Sequence, residues 1–177
     1  MPRNRSDIDR EDKLDEILNA AEDILRADGY ASLTHSAVAR ALGLARTAIC
    51  WYFPTRDDLF VATVERIFTA TFAKAPAARS YQRRIEWGMD RLAELQPLIL
   101  VLHERAGHSD AAARLEAAIQ IQLCDRLRDV LRPHVEPARL DRVATTVVVF
   151  IEGLLAHRTP AVERRRMLRF LVAELVP

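Results

Sequence analysis

Between Gly29 and Arg56 the chain carries no aspartate or glutamate, while Arg40, Arg46 and Arg56 all fall inside the stretch. A surface that faces phosphate must look like this, because each carboxylate there would repel the nucleic-acid backbone. Within the stretch, Arg46, Thr47, Trp51 and Tyr52 lie at positions that an inward-packing pattern leaves free. Arginine offers guanine O6 and N7 a two-pronged donor, and threonine offers a methyl to thymine or a hydroxyl to phosphate. Arg46 is therefore the candidate base reader, with its neighbours setting position through phosphate contacts.

Such side chains need two short helices held at a fixed angle. Thr34 is a candidate cap for a helix running to about Leu42, Gly43 breaks it, and a second helix runs from Ala45 to about Tyr52. Ala39 stands where the two helices approach, since a larger side chain would push them apart. Gly43 supplies a turn that calls for positive φ. Val38, Leu42, Leu44, Ile49 and Phe53 are spaced to pack inward. This is helix-turn-helix mechanics, in which the second helix enters the DNA major groove. Thr34, His35 and Ala45, at the helix starts, complete the candidate contact set with Arg46, Thr47, Trp51, Tyr52 and Arg56.

Flanking signals extend the helical reading. Ser6 with Asp9 resembles a capping box, and Leu14, Ile17, Leu18, Ala21, Ile24 and Leu25 then share one face before Gly29 stops the helix. Pro54 ends the second short helix, and Thr55 with Asp58 starts another that runs to about Lys74. Arg3 and Arg5 form a short basic arm ahead of it all.

The remainder reads as longer helices. One spans about Tyr81 to Leu95, and Pro97 kinks it or opens a new one. Ser109 caps a helix with a stripe of Leu115, Ile119, Leu123, Leu127 and Val130. Pro137 and Pro160 suit first helical positions of two more, ending near His157 and Leu175. No strand-like alternation of useful length interrupts them. The expected fold is all-α: a helix-turn-helix domain over residues 6–75 and a helical effector-binding and dimerisation domain over 76–177, with a boundary near residues 75–79.

Val143–Leu155 is apolar nearly all round, so it must be buried on several sides. One face suits the core and another a partner subunit, completed by the last helix. The expected interface holds Val147, Phe150, Ile151, Leu154, Leu168 and Leu171. Trp87 lies off the main stripe of its helix, and with Phe72, Met89, His103, Gln120 and Cys124 it is a candidate wall of a small-molecule cavity.

Composition bounds the rest. Of 177 residues, 50% are hydrophobic and 5 are glycine, which supplies a core and favours helix. A net charge of +1 means that charge distribution, not total charge, must carry any DNA argument. Cys50 and Cys124 stand alone, so no disulfide framework is expected, in keeping with a reducing cytoplasm. The charged N-terminus has no apolar core and is not expected to be a signal peptide. Glu152 interrupts the longest apolar run, so no membrane partner is expected. His103, His108 and Cys124 match no closed zinc spacing, and there is no phosphate loop or nucleophile elbow. Neither a metal, a cofactor nor an enzymatic activity is expected. The competing class is a helical small-molecule-binding protein or enzyme with no specific DNA target.

Ile17–Leu59 resembles the N-terminal domain of the TetR (tetracycline-repressor-like) family, through Ala20-Ala21, Gly29-Tyr30, Thr34, Val38-Ala39, Gly43-Leu44, Tyr52-Phe53, Arg56 and Leu59. The resemblance implies an all-helical homodimer whose C-terminal domain binds a small molecule and thereby changes affinity for a pseudo-palindromic double-stranded operator. It implies a repressor more readily than an activator. It further implies phosphate contacts from Thr34, Tyr52 and Arg56, and a recognition helix over Ala45–Trp51. Ala45 stands where the family usually has a capping serine, Cys50 where it usually has tyrosine, and Arg56 where lysine is more usual.

Overall fold

In the computed structural model, which describes residues 5–73 and 80–176 with side chains from Arg10 onward, every regular element is a helix. The basic residue Arg3 and the expected boundary at residues 75–79 lie outside the described residues. The chain forms two compact units. One runs to Thr69 and takes in Val101–Ala113; the other holds Ala70–Leu100 and everything from Arg114 onward.

The first unit begins with α1 (Arg5–Ser32). Ile17, Leu18, Ala21 and Leu25 are buried along one face, as the 3-4 spacing requires. Ser6 lies inside this helix and does not start it. Gly29 interrupts it with φ 75° and ψ −178°, a conformation essentially restricted to glycine. α2 (His35–Leu42) follows, and the Thr34 hydroxyl accepts the Ala37 N–H at 3.1 Å. Gly43 closes α2 at φ 66°, ψ 28°; the N–H groups of Gly43 and Leu44 bond the Arg40 and Ala39 carbonyls. This is a Schellman closure, and it sets the turn into α3 (Arg46–Tyr52). α4 (Arg56–Ala73) starts on a reciprocal cap, in which Asp58 N–H donates to Thr55 Oγ1 and Thr55 N–H donates to Asp58 Oδ2. Leu33, Val38, Ile49, Leu59, Phe60 and Ile67 are almost wholly buried, and they hold the four helices together. Each such side chain contributes about 1.5–3 kcal/mol on leaving water.

The longest helix of the later part is α5 (Tyr81–Ala106), which runs unbroken through Pro97. The expected end near Leu95 is thus corrected. Pro97 is exposed, so its ring costs one backbone hydrogen bond, and water can reach the carbonyl left without a donor. α6 (Asp110–Leu131) opens on Ser109, α7 (Pro137–Ala156) on Pro137 as a first helical residue, and α8 (Ala161–Leu175) one residue after Pro160. Pro160 is therefore the cap and not the first helical residue.

In the second unit, α7 buries Leu140, Val143, Ala144, Val147, Val148, Ile151, Leu154 and Leu155. Its opposite face, with Asp141, Arg142, Thr145, Thr146 and Val149, is exposed. The α7–α8 corner closes through Arg158 at φ 52°, with Arg158 N–H bonded to Leu155 O and Thr159 N–H to Leu154 O. No helix among the described residues is long and apolar enough to cross a membrane.

Candidate nucleic-acid interface

α3 is short, and its geometry is set from both ends. Ile49 and Phe53 anchor it inward. His35, at the start of α2, is buried and bonds the Phe53 carbonyl through Nε2 at 2.8 Å. A carbonyl only accepts, so Nε2 carries the proton. This bond ties the first residue of α2 to the residue that ends α3, fixing the angle between the two helices.

What remains outside is the candidate contact surface. Ala45, Arg46, Thr47 and Trp51 are exposed, and Thr34 and Tyr52 are half-buried. Trp51 stays 64% exposed, which is unusual for so large an apolar ring. It meets Tyr52 edge to face at 4.8 Å, and the Arg10 guanidinium of α1 lies 4.9 Å from its ring centroid. Arg40 and Arg46 are both exposed and have no ion-pair partner among the described residues. Ala45 caps α3 without a side-chain hydrogen bond, as expected of alanine. Cys50 is half-buried within α3.

Two members of the expected contact set sit differently from the rest. His35 faces inward, as described. Arg56 donates from Nε to Leu33 O at 2.7 Å and from Nη2 to Tyr30 O, with its guanidinium 4.0 Å from the Tyr30 ring centroid. Its fork is occupied by the α1–α2 connection.

Beside it lies a cluster that local sequence reasoning missed. Arg105, near the end of α5, holds Asp57 with two hydrogen bonds, and Tyr30 Oη donates to Asp57 Oδ1 at 2.9 Å. The Arg105 hydrogen bonds, with that from Tyr30, hold the Asp57 carboxyl below its ordinary range against a smaller opposing effect of burial. Burial, then the bond to Asp57, pushes the Tyr30 phenol up. The two bonded pairs, Tyr30–Asp57 and Arg105–Asp57, are 27 and 48 positions apart, so no local spacing could announce them.

In the second unit a cavity of about 220 Å³ brings together Phe72, Trp87 and Met89 of the expected pocket set. Phe72 and Trp87 pack edge to face at 5.8 Å. Gln120 is exposed, Cys124 is buried elsewhere in α6, and His103 is exposed in the first unit; none of the three lines this cavity. Four of the expected interface residues, Val147, Ile151, Leu154 and Leu168, are buried within their own unit and leave little surface for a partner. Phe150 and Leu171 are half-buried. The exposed large apolar side chains of α7 and α8 are Val149, Val162, Met167 and Phe170.

Comparison with known proteins agrees with the geometry. Residues 17–63 match the family described as bacterial regulatory proteins, tetR family. The chain is 28% identical over 159 residues to the nucleoid occlusion factor SlmA of Marinobacter nauticus, covering 77% of this chain and 78% of that one. In fold it is similar to a transcriptional regulator from Rhodococcus sp. RHA1, with TM-score 0.72, 16% identity, and coverage of 91% of this chain and 94% of that one. A TetR transcription regulator from Haloarcula marismortui also has TM-score 0.72, with 20% identity and coverage of 94% and 97%. The matched family and these neighbours are regulators and not enzymes. The helix-turn-helix formed by α2 and α3 lies within the residues that match the tetR family of bacterial regulatory proteins, and the chain is similar in fold to regulators of that kind.

Proposed function

We propose that this DNA-binding regulator is a homodimeric cytoplasmic repressor, which reads a pseudo-palindromic operator with α3 and leaves it when a small molecule occupies the cavity of the second unit. The observation that carries the DNA-reading half is Arg46, exposed at the first position of α3, without an ion-pair partner among the described residues, and inside a stretch free of acids. Arg46 reads a guanine. Thr47, Trp51 and Tyr52 contact thymine methyl or phosphate, with Thr34 and Arg40 on phosphate and the small Ala45 allowing close approach. His35 and Arg56 act by holding α2 and α3 in place.

Two α3 helices related by a two-fold axis would reach successive major grooves. The apolar side chains Val149, Val162, Met167 and Phe170, with Phe150 and Leu171 beside them, supply surface for such a pairing. A bound effector shifts DNA affinity only by its differential affinity for the two forms.

The test is fluorescence anisotropy with the gene's upstream DNA at stated salt. Specific binding is expected, with Arg46→Ala costing about 1–3 kcal/mol of operator affinity. Binding indifferent to sequence, or untouched by Arg46→Ala, would overturn the base-reading role. In vitro transcription from that promoter gives the sign of regulation, and loss of transcript is expected. Light scattering at micromolar concentration should return twice the 20.1 kDa chain mass.

A further inference from the structure

The cavity of the second unit has walls of one chemistry and a rim of another. Its walls include Met89, Leu92, Leu123, Leu127, Val148 and Ile151, with the Phe72–Trp87 pair on one side. Arg84 and Arg126 also line it and are exposed to solvent. The Arg126 guanidinium lies 5.4 Å from the Phe72 ring centroid, so its charge is held against the aromatic wall. Neither arginine has an ion-pair partner among the described residues. Nearby Arg128 differs, being paired with both Asp125 and Asp141. The one carboxylate in the lining, Asp129, has Arg132 Nη2 3.4 Å away.

Two uncompensated guanidinium groups at the mouth of an apolar chamber select for one kind of molecule. The chamber rejects a polar body, because buried polar groups there would lose their water without gaining partners. The mouth attracts an anion, and guanidinium matches carboxylate geometry with paired donors. The charge stays at the rim, where water still reaches it, so its desolvation is partial. The cavity volume of about 220 Å³ gives room for a small organic body. We propose that the cavity takes an organic anion with an apolar body of medium length, its carboxylate held by Arg84 and Arg126. This assignment rests on the effector-site reading above and names the chemical class.

Gly88 gives the means of testing it. It lines the cavity, and a Cβ built on it meets no atom within 4 Å. A larger side chain there grows into the chamber without displacing the backbone.

The experiment is calorimetric titration of the full chain with octanoate, 1-octanol and octyltrimethylammonium, which share a tail and differ in charge. Octanoate is expected to bind about ten-fold tighter than octanol, and the cation weakest, with the advantage of octanoate falling as salt screens the rim. Arg84→Gln with Arg126→Gln should reduce octanoate to the affinity of octanol and leave octanol unchanged. Gly88→Leu should weaken both about ten-fold while the melting transition is kept. Equal binding of octanoate and octanol, or tighter binding of the cation, would overturn the anion assignment and leave an effector cavity of other chemistry. Binding unaffected by Gly88→Leu would place the molecule elsewhere and overturn the site. If none of the probes binds, the anion assignment and the effector reading of this cavity both fall.

Discussion

Arg105 grips the Asp57 carboxylate with both edges of its guanidinium fork, Nε to Oδ1 at 3.1 Å and Nη2 to Oδ2 at 2.8 Å. Asp57 is in the first turn of α4, where negative charge also favours the helix end. Tyr30 adds a third donor to the same carboxylate. The cluster thus joins the end of α1, the start of α4 and the end of α5 within the unit that carries α3.

The pH dependence of folding follows from its charges. The Asp57 carboxyl is held below its usual 3.8, chiefly by Arg105, so its contribution is present above that value and is lost as pH falls through the lower folded value. The Tyr30 phenol is pushed above 10.0, chiefly by burial, so its contribution is present below that value and is lost as pH rises through the higher folded value. Thermal melts are expected to show Asp57→Asn a few degrees below the native chain between about pH 5 and 9, with the gap closing in acid. An equal melting temperature for the two proteins at neutral pH would show that the cluster does not hold this unit.

Variants of His35 and Arg46 test the proposed division between holding α3 and reading DNA. His35→Leu removes the His35 Nε2 donor to Phe53 O and is expected to cost about 1–3 kcal/mol of stability along with operator affinity. Arg46→Ala leaves an exposed site and should lower operator affinity with almost no change in melting. Paired denaturation and anisotropy measurements check this. If His35→Leu melted like the native chain yet lost DNA, His35 would be a contact residue.

Arg56 is where the resemblance and the structure part in emphasis. Its fork is spent on Leu33 O and Tyr30 O, and a lysine ammonium has no planar fork to satisfy both while stacking on Tyr30. Arg56→Lys is expected to lower the melting temperature by a few degrees, with any loss of operator affinity following the loss of stability. Unchanged melting with weakened, less salt-dependent binding would instead make Arg56 a phosphate contact.

The legible features were those whose signals lie within a few residues. Thr34, Gly43 and the Thr55–Asp58 pair each act on backbone groups no more than four positions away, so the helix-turn-helix could be read directly. Pro97 could not be placed, because a helix as long as α5 tolerates one missing bond at an exposed position. The apolar run in α7 showed that burial was needed but not against what, and Val147, Ile151 and Leu154 proved to serve their own unit. Arg84 and Arg126 looked like ordinary solvated arginines until the cavity between their helices was seen.

Ala45 offers a last and simple check on the recognition helix. It occupies the cap of α3 with extended backbone and no side-chain bond, while Thr34 performs that service for α2. Ala45→Ser supplies an oxygen for the exposed N–H groups of the first turn and is expected to add about 0.5–2 kcal/mol of stability. The same N–H groups, with the positive end of the helix dipole, are also free to meet a phosphate. A serine that satisfies them internally competes with that contact, so operator affinity should stay level or fall as stability rises. Melting and anisotropy on one variant decide it. A serine that raised neither stability nor the melting temperature would show that the first turn of α3 gains nothing from a side-chain cap. A serine that raised both stability and affinity would mean that ordering α3 outweighs any phosphate contact at its first turn.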